Sequence, residues 1–166
     1  SASLGDNKIA CYENLGNGTF GSQQVITTNL SGAQSVYACD LDGDGDNDVL
    51  SASYYDDKIA WYENLGSGSF SSQQVISTLA DGARSVYACD LDGDGDNDVL
   101  SASYDDSKIA WYENLGGGVF SAQQVISTLV PRAWSVYACD LDGDGDKDVL
   151  SVSFDDDKIA WYENDG

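Results

Sequence analysis

The sequence predicts an all-β fold: a β-propeller-type repeat array of four-stranded antiparallel blades, with incomplete blades at both ends. Three observations support this prediction. The string Asp-Leu-Asp-Gly-Asp-Gly-Asp begins at Asp40, Asp90 and Asp140, and the surrounding sequence repeats with the same spacing of 50 residues. Each repeat holds four short strand-like runs separated by turn signals. No segment shows a helical period of useful length.

The strands follow one order in every repeat. The first run precedes the aspartate loop, and the second follows it. A short polar turn leads to the third run, and a glycine-rich turn leads to the fourth. Several runs are apolar on both faces, which is typical of sheets covered on both sides. In one repeat the predicted strands are residues 85–89, 99–103, 108–113, and 119–120 continuing to 124–127.

The repeat boundaries predict two complete blades, at residues 35–84 and 85–134. A partial blade at residues 1–34 holds the last three strands, and another at residues 135–166 holds the first three. The chain begins at Ser1 without an initiator Met or a signal peptide, so we interpret it as a mature or trimmed segment. We expect it to be joined to further repeats of a longer chain or packed against copies of itself.

Five aspartates alternate along each repeated loop, and this pattern indicates a bound hard cation. So many carboxylates on a short loop repel one another at neutral pH, and calcium takes about six to eight oxygen ligands from flexible loops. An EF-hand would need a Glu at its twelfth position, where this chain has Ser51, Ser101 and Ser151. The sequence therefore predicts three Ca²⁺ sites outside the EF-hand class, in residues 40–48, 90–98 and 140–148.

The loop, the period and the strand order together resemble the FG-GAP/VCBS repeat family, the calcium-binding propeller blades of integrin α subunits and of bacterial and algal surface proteins. The most specific element is Asp-x-Asp-Gly-Asp-Gly-x-x-Asp, and residues 58–64 resemble the VCBS branch. The resemblance implies that side chains one, three, five and nine of each loop bind calcium and that residue seven supplies its carbonyl oxygen. The implied ligands are Asp40, Asp42, Asp44, Asp46 and Asp48, then Asp90, Asp92, Asp94, Asp96 and Asp98, then Asp140, Asp142, Asp144, Asp146 and Asp148.

Composition argues against several classes of function. The net charge of −22 predicts no nucleic-acid partner, because phosphate binding needs a basic face. No apolar run is long enough for membrane insertion. The chain has no histidine and no nucleophile in a catalytic motif, so we predict that it is not an enzyme.

The leading interpretation is a non-catalytic, calcium-stabilised extracellular scaffold or adhesion module that assembles into a larger ring, filament or surface appendage. Two alternatives stay open: a lectin-like propeller and an accessory domain of a secreted enzyme. A protein or glycan ligand would bind the variable connections, on the face opposite the calcium loops. These connections are residues 29–34, 79–84 and 129–134 before the first strand, and residues 5–7, 55–57 and 105–107 before the third. Asn17 and Asn29 stand in glycosylation sequons, in agreement with secretion. The recurring Trp61, Trp111 and Trp161 indicate packing between blades more than sugar binding.

Overall fold

The computed structural model describes residues 1–166, which form strands, turns and loops without a helix. Fourteen strands make four antiparallel sheets, one after another along the chain. The predicted all-β repeat fold is confirmed. None of the chain forms an apolar helix of the length needed to cross a membrane.

Consecutive strands pair within each sheet. The first sheet contains β1 (Ala2–Ser3), β2 (Lys8–Gly16) and β3 (Thr19–Thr27). The second contains β4 (Ala33–Cys39), β5 (Asp48–Ser53), β6 (Lys58–Tyr62) and β7 (Gln74–Ser77). The third contains β8 (Ala83–Cys89), β9 (Asp98–Ser103), β10 (Lys108–Tyr112) and β11 (Gln124–Ser127). The fourth contains β12 (Ala133–Cys139), β13 (Asp148–Ser153) and β14 (Ile159–Tyr162).

The last three sheets share one register. Their first two strands pair from the aspartate loop outward, as Cys39 with Asp48 in the second sheet. A β-bulge interrupts this pairing near the start of β4, β8 and β12. A bulge places an extra residue opposite its partner strand and re-aims that side chain. The extra residues are Gln34, Arg84 and Trp134.

The fourth run is shorter than the sequence suggests in the second and third sheets, although β3 of the first sheet is nine residues long. In the third sheet, β11 begins only at Gln124, and Phe120 contributes a single isolated bridge to Asn114. Gly116, Gly117 and Gly118 all have positive φ, so the preceding turn bends away from the extended ladder.

The hydrophobic core lies between neighbouring sheets. Strand β9 is buried along its whole length because sheets cover both of its faces, which explains the runs that are apolar on both sides. Three clusters join the sheets in sequence. Their principal members are Ile9, Leu30 and Tyr62 for the first pair of sheets, Leu50, Trp61 and Val99 for the second pair, and Leu100, Ile109 and Val136 for the third.

Trp61 shows how closely two sheets approach. Its indole is 3% exposed and lies edge-on to Phe120 of the next sheet, with ring centroids 6.5 Å apart. A Cβ atom at Gly118 would overlap the indole of Trp61, so that position requires glycine. Packing between sheets is thus the role of Trp61, whereas Trp111 is half-buried and Trp161 is exposed.

The first strands of the last three sheets lie side by side. Tyr37 and Tyr87 have ring centroids 4.9 Å apart, and Tyr87 and Tyr137 are 4.6 Å apart. Successive sheets are therefore aligned along their first strands. These four sheets do not form a closed propeller.

Candidate metal centres

The aspartate loops connect the first and second strands of the last three sheets. Each loop starts after a cysteine and ends at an aspartate. These two residues pair across the ladder, as Cys39 and Asp48 do. Leu41 anchors the start of the first loop in the core, where it is only 1% exposed. The ladder and this anchor fix both ends of the acidic segment.

The ninth residue of each loop is a buried carboxylate that accepts two backbone N–H groups. Asp98 Oδ2 accepts from Leu91 N at 2.9 Å, and Asp98 Oδ1 accepts from Asn114 N at 2.7 Å. Asp48 and Asp148 make the same pair of contacts in their own loops. Each oxygen keeps a further lone pair, so the carboxylate is fixed in orientation while it can still bind an ion.

The first residue of the loop organises the turn. Asp40 accepts hydrogen bonds from Gly43 N at 2.7 Å and from Gly45 N at 2.9 Å. Both glycines have positive φ, of 82° and 95°, a conformation that side-chain-bearing residues adopt only with strain. Farther along, Asp42 and Asp44 each accept the backbone N–H two residues ahead. The chain therefore curls around its own carboxylates.

Carboxylate oxygens converge in all three loops, but the members differ. In each loop three of them lie within 4.8 Å of one another. Positions one and three are always included, position nine joins them in the first and third loops, and position five joins them in the second. The side chain of position seven belongs to none of these groups. The convergent sets are Asp40, Asp42 and Asp48, then Asp90, Asp92 and Asp94, then Asp140, Asp142 and Asp148.

Burial makes Asp98 of the second loop costly to ionise. It raises the pKa of Asp98 to about 6, and the nearby charges of Asp92 and Asp94 add to the rise, against the opposing hydrogen bonds from Asn114 and Leu91. Burial also raises the pKa of Asp48. A cation placed among these oxygens would offset both the desolvation and the mutual repulsion. The donors are all hard oxygens, which suits Ca²⁺ rather than a soft transition metal.

A second group of side chains, which the sequence did not single out, lies at the opposite ends of the same strands. The guanidinium of Arg84 stacks on the indole of Trp134, 3.4 Å from its centroid. Phe154 stacks on the indole at 5.1 Å, and Tyr104 contacts both rings edge-on or tilted. We call Arg84, Tyr104, Trp134 and Phe154 the aromatic–arginine cluster. The only available sequence signal is that Arg84 and Trp134 fall in the variable connections.

Backbone hydrogen bonds join the variable segments of this face. Tyr104 N donates to Gly82 O at 3.0 Å, and Asp105 N donates to Asp81 O at 3.1 Å. The connection into the first strand thus pairs with the turn after the second strand of the same sheet. Variable residues are held there on an ordered backbone.

Both sequon asparagines are exposed. Asn17 occupies the turn between β2 and β3, and Asn29 follows β3. Their glycosylation stays a prediction.

The FG-GAP-like repeat family model matches three stretches, residues 1–51, 40–101 and 90–151. Comparison with curated proteins gives no match.

Solved structures that share the fold include a lectin and a biofilm matrix protein. One is an Agrocybe aegerita lectin described as recognising non-reducing terminal N-acetylglucosamine. It aligns with a TM-score of 0.62 and 19% sequence identity, and the alignment covers 91% of this chain and 42% of the lectin chain. The other is the V. cholerae biofilm matrix protein Bap1. It aligns with a TM-score of 0.52 and 21% sequence identity, and the alignment covers 99% of this chain and 26% of the Bap1 chain. This chain spans less than half the length of either protein.

Proposed function

This chain belongs to the FG-GAP-like repeat family, and from that premise we propose that it is a non-catalytic, calcium-stabilised repeat module of an extracellular scaffold or adhesion protein. One observation carries the proposal. Three loops of oxygen donors recur in the same place in successive sheets, each with a buried carboxylate fixed by two N–H groups. No catalytic constellation accompanies them, so a structural role for the ion is the simplest chemistry.

We assign the ion to the side chains at loop positions one, three, five and nine, with the carbonyl at position seven. Asp46, Asp96 and Asp146 therefore contribute backbone oxygen, which agrees with their side chains lying outside the convergent sets. A bound calcium ion would neutralise carboxylate charge. The loop residues hold the turn, exclude competing conformations and orient the oxygens inward.

The sheets are proposed to act as blades of a propeller-type array, with boundaries at residues 34, 84 and 134. The side-by-side first strands and the cores between sheets support this arrangement. The outer face of the fourth sheet exposes Ile159 (78%) and Trp161 (46%), whereas the equivalent Ile59 and Trp61 are buried. We propose that a further repeat, or a second copy of this chain, covers that face.

Thermal unfolding with and without calcium tests the proposal. Free calcium at about 100 times its dissociation constant stabilises a protein by about 2.7 kcal/mol per site. We expect excess chelator to lower the melting temperature markedly and calcium, more than magnesium, to restore it. A melting curve unchanged by chelator would refute the calcium assignment.

A lectin is the second candidate, and the aromatic–arginine cluster favours it. Aromatic rings and an arginine fork are groups that bind sugar faces and carboxylates. Arg84 makes no salt bridge, so its N–H groups are available to a ligand. The structural likeness to a lectin agrees with this candidate but shows the fold alone.

Glycan-array binding of the intact chain, compared with its Trp134→Ala variant, tests the lectin candidate. A glycan that binds the parent and not the variant would support it. No binding by the parent, or equal binding by both proteins, would count against a sugar site at this cluster.

A further inference from the structure

The first two aspartate loops are each contacted by the sheet that follows them. Asn114 Nδ2 donates to Leu41 O of the first loop at 2.8 Å, and Asn97 Nδ2 donates to Asp40 O at 2.9 Å. Asp40 is the residue whose carboxylate organises the turn. Two amides from the next sheet therefore fix the backbone from which the first proposed ligand projects.

The second loop receives only one of these two contacts. Asn164 Nδ2 donates to Leu91 O at 2.9 Å, as Asn114 does one repeat earlier. The residue equivalent to Asn97 is Lys147, and it makes no such bond to Asp90. Lys147 instead lies with Asp90 and Gly93 beside a cavity of about 330 Å³.

Lys147 also carries a charge that the other two repeats lack at this place. The remaining four lysines all pair with aspartates, but Lys147 makes no salt bridge. It is the eighth residue of the third loop, between Asp146 and Asp148, and it borders the second loop across the sheet interface. This lysine thus belongs to the third loop and also lines a cavity at the border of the second.

No sheet follows the third loop within these 166 residues, so the amide contacts compare the first two loops only. The turn of the third loop is less complete than theirs, because Asp140 accepts from Gly143 N but makes no bond to Gly145 N, whereas Asp40 and Asp90 bind both glycines. Fewer fixed groups mean a larger ordering cost when an ion binds.

We infer that the three calcium sites are unequal and that Lys147 sets the difference: the first loop binds calcium most tightly, and Lys147 weakens the second and third. This inference rests on the proposed calcium binding. A single, partly screened positive charge near a divalent ion should weaken binding on the order of three- to tenfold. The missing amide adds to the effect in the second loop by leaving Asp90 less well fixed.

The equivalent residues of the three repeats suggest matched substitutions at Lys147 and Asn97. Lys147→Asn restores the residue found in the other two repeats, and Asn97→Lys introduces the lysine at the first interface. Lys147→Met removes the charge without supplying an amide. Calorimetric titration of the intact chain with CaCl₂ measures the site affinities, and Asp92→Ala identifies the second site by removing it.

We expect one tight and two weaker sites in the parent protein. Lys147→Asn should tighten the two weaker sites, Lys147→Met should recover part of that gain, and Asn97→Lys should weaken the tight site. The Lys147 effect should shrink at high salt because it is partly electrostatic. Circular dichroism in calcium checks that each variant folds.

Three equal sites in the parent, or affinities unchanged by Lys147→Asn, would overturn the inference and leave the proposed calcium binding intact. Absence of calcium binding in every variant would overturn both.

Discussion

At the scale of single residues, the ninth aspartate of each loop performs two tasks. Asp98 ties the start of the loop to the segment just after β10 through the N–H groups of Leu91 and Asn114. It is also an implied calcium ligand. Because it is fully buried, its charge is costly without a cation, and the raised pKa reflects that cost.

Substitution of Asp98 by Asn tests this double role. The amide keeps the size of the side chain but loses the charge and sets an NH₂ group against one of the two backbone donors. We expect a loss of about 1–3 kcal/mol in the free energy of unfolding of the calcium-loaded protein, measured in urea. The difference should be smaller in chelator, where ionised Asp98 is itself unfavourable.

Asp96→Asn is the matched control, since in the proposed site Asp96 contributes its backbone oxygen, and its side chain, unlike that of Asp98, accepts no hydrogen bond. It should change stability by no more than about 0.5 kcal/mol. Equal losses for the two variants would show that Asp98 has no special structural role.

Loss of one proposed ligand aspartate should affect its own loop alone. Asp92 belongs to the convergent set of the second loop. We expect Asp92→Ala to reduce the calcium stoichiometry from three towards two in calorimetry, because the three loops lie in different sheets. Unaltered stoichiometry and affinity would show that Asp92 is not a ligand.

At the scale of secondary-structure elements, the glycine turn before the fourth strand sets the distance between sheets. Gly118 lies against the buried indole of Trp61, and Gly117 in the same turn has open space around it. Both have positive φ, so alanine would introduce similar backbone strain at either position. Only Gly118 would also displace an aromatic ring.

We therefore expect Gly118→Ala to destabilise the protein by about 1–3 kcal/mol more than Gly117→Ala, because overpacking adds to backbone strain. Urea denaturation of the two variants under identical calcium concentrations measures the difference. Equal destabilisation would mean that the two sheets can separate at little cost.

The sequence predicted the strands well because each repeat restates the same pattern. The predicted run at residues 99–103 lies within β9, and the run at 85–89 lies within β8. Residues 119–123 were harder to assign, because the glycine turn bends this segment away from the ladder after one bridge. The loop positions could be read from alternating aspartates, since their spacing is local.

Contacts between repeats could not be read in this way. Asn114 and Leu41 are far apart in sequence, as are Arg84 and Trp134, and packing of whole sheets brings each pair together. An alignment of the repeats places equivalent residues over one another but does not show which non-equivalent residues meet. The role inferred for Lys147 depends on such a contact between repeats.

At the scale of the whole molecule, the charge of −22 dominates the electrostatics. Self-repulsion of this size opposes the compact state, and salt screens it. In chelator, we expect the melting temperature to rise with added NaCl between low and physiological ionic strength. The rise should be smaller in calcium because bound ions already neutralise part of the charge. A melting temperature independent of salt in chelator would contradict this view.

We expect the exposed outer face of the fourth sheet to determine whether the isolated chain associates in solution. Ile159 and Trp161 are exposed there, although their equivalents in the second sheet are buried by a neighbouring sheet. Burial of an aliphatic or aromatic side chain contributes about 1.5–3 kcal/mol, so covering this face is favourable. We expect sedimentation velocity to show self-association of the isolated chain that increases with concentration.

Replacing both Ile159 and Trp161 by Asp should shift the sedimentation profile towards monomer, and Ala160→Pro should act in the same direction by removing a backbone donor from β14. Leu129→Asp is the control, because Leu129 is 87% exposed but lies in a connection away from the sheet face. If association depended on general surface apolarity, the control would weaken it as much. Association that survives the double variant, or a parent chain that sediments as a compact and stable monomer, would show that the outer face of the fourth sheet needs no partner.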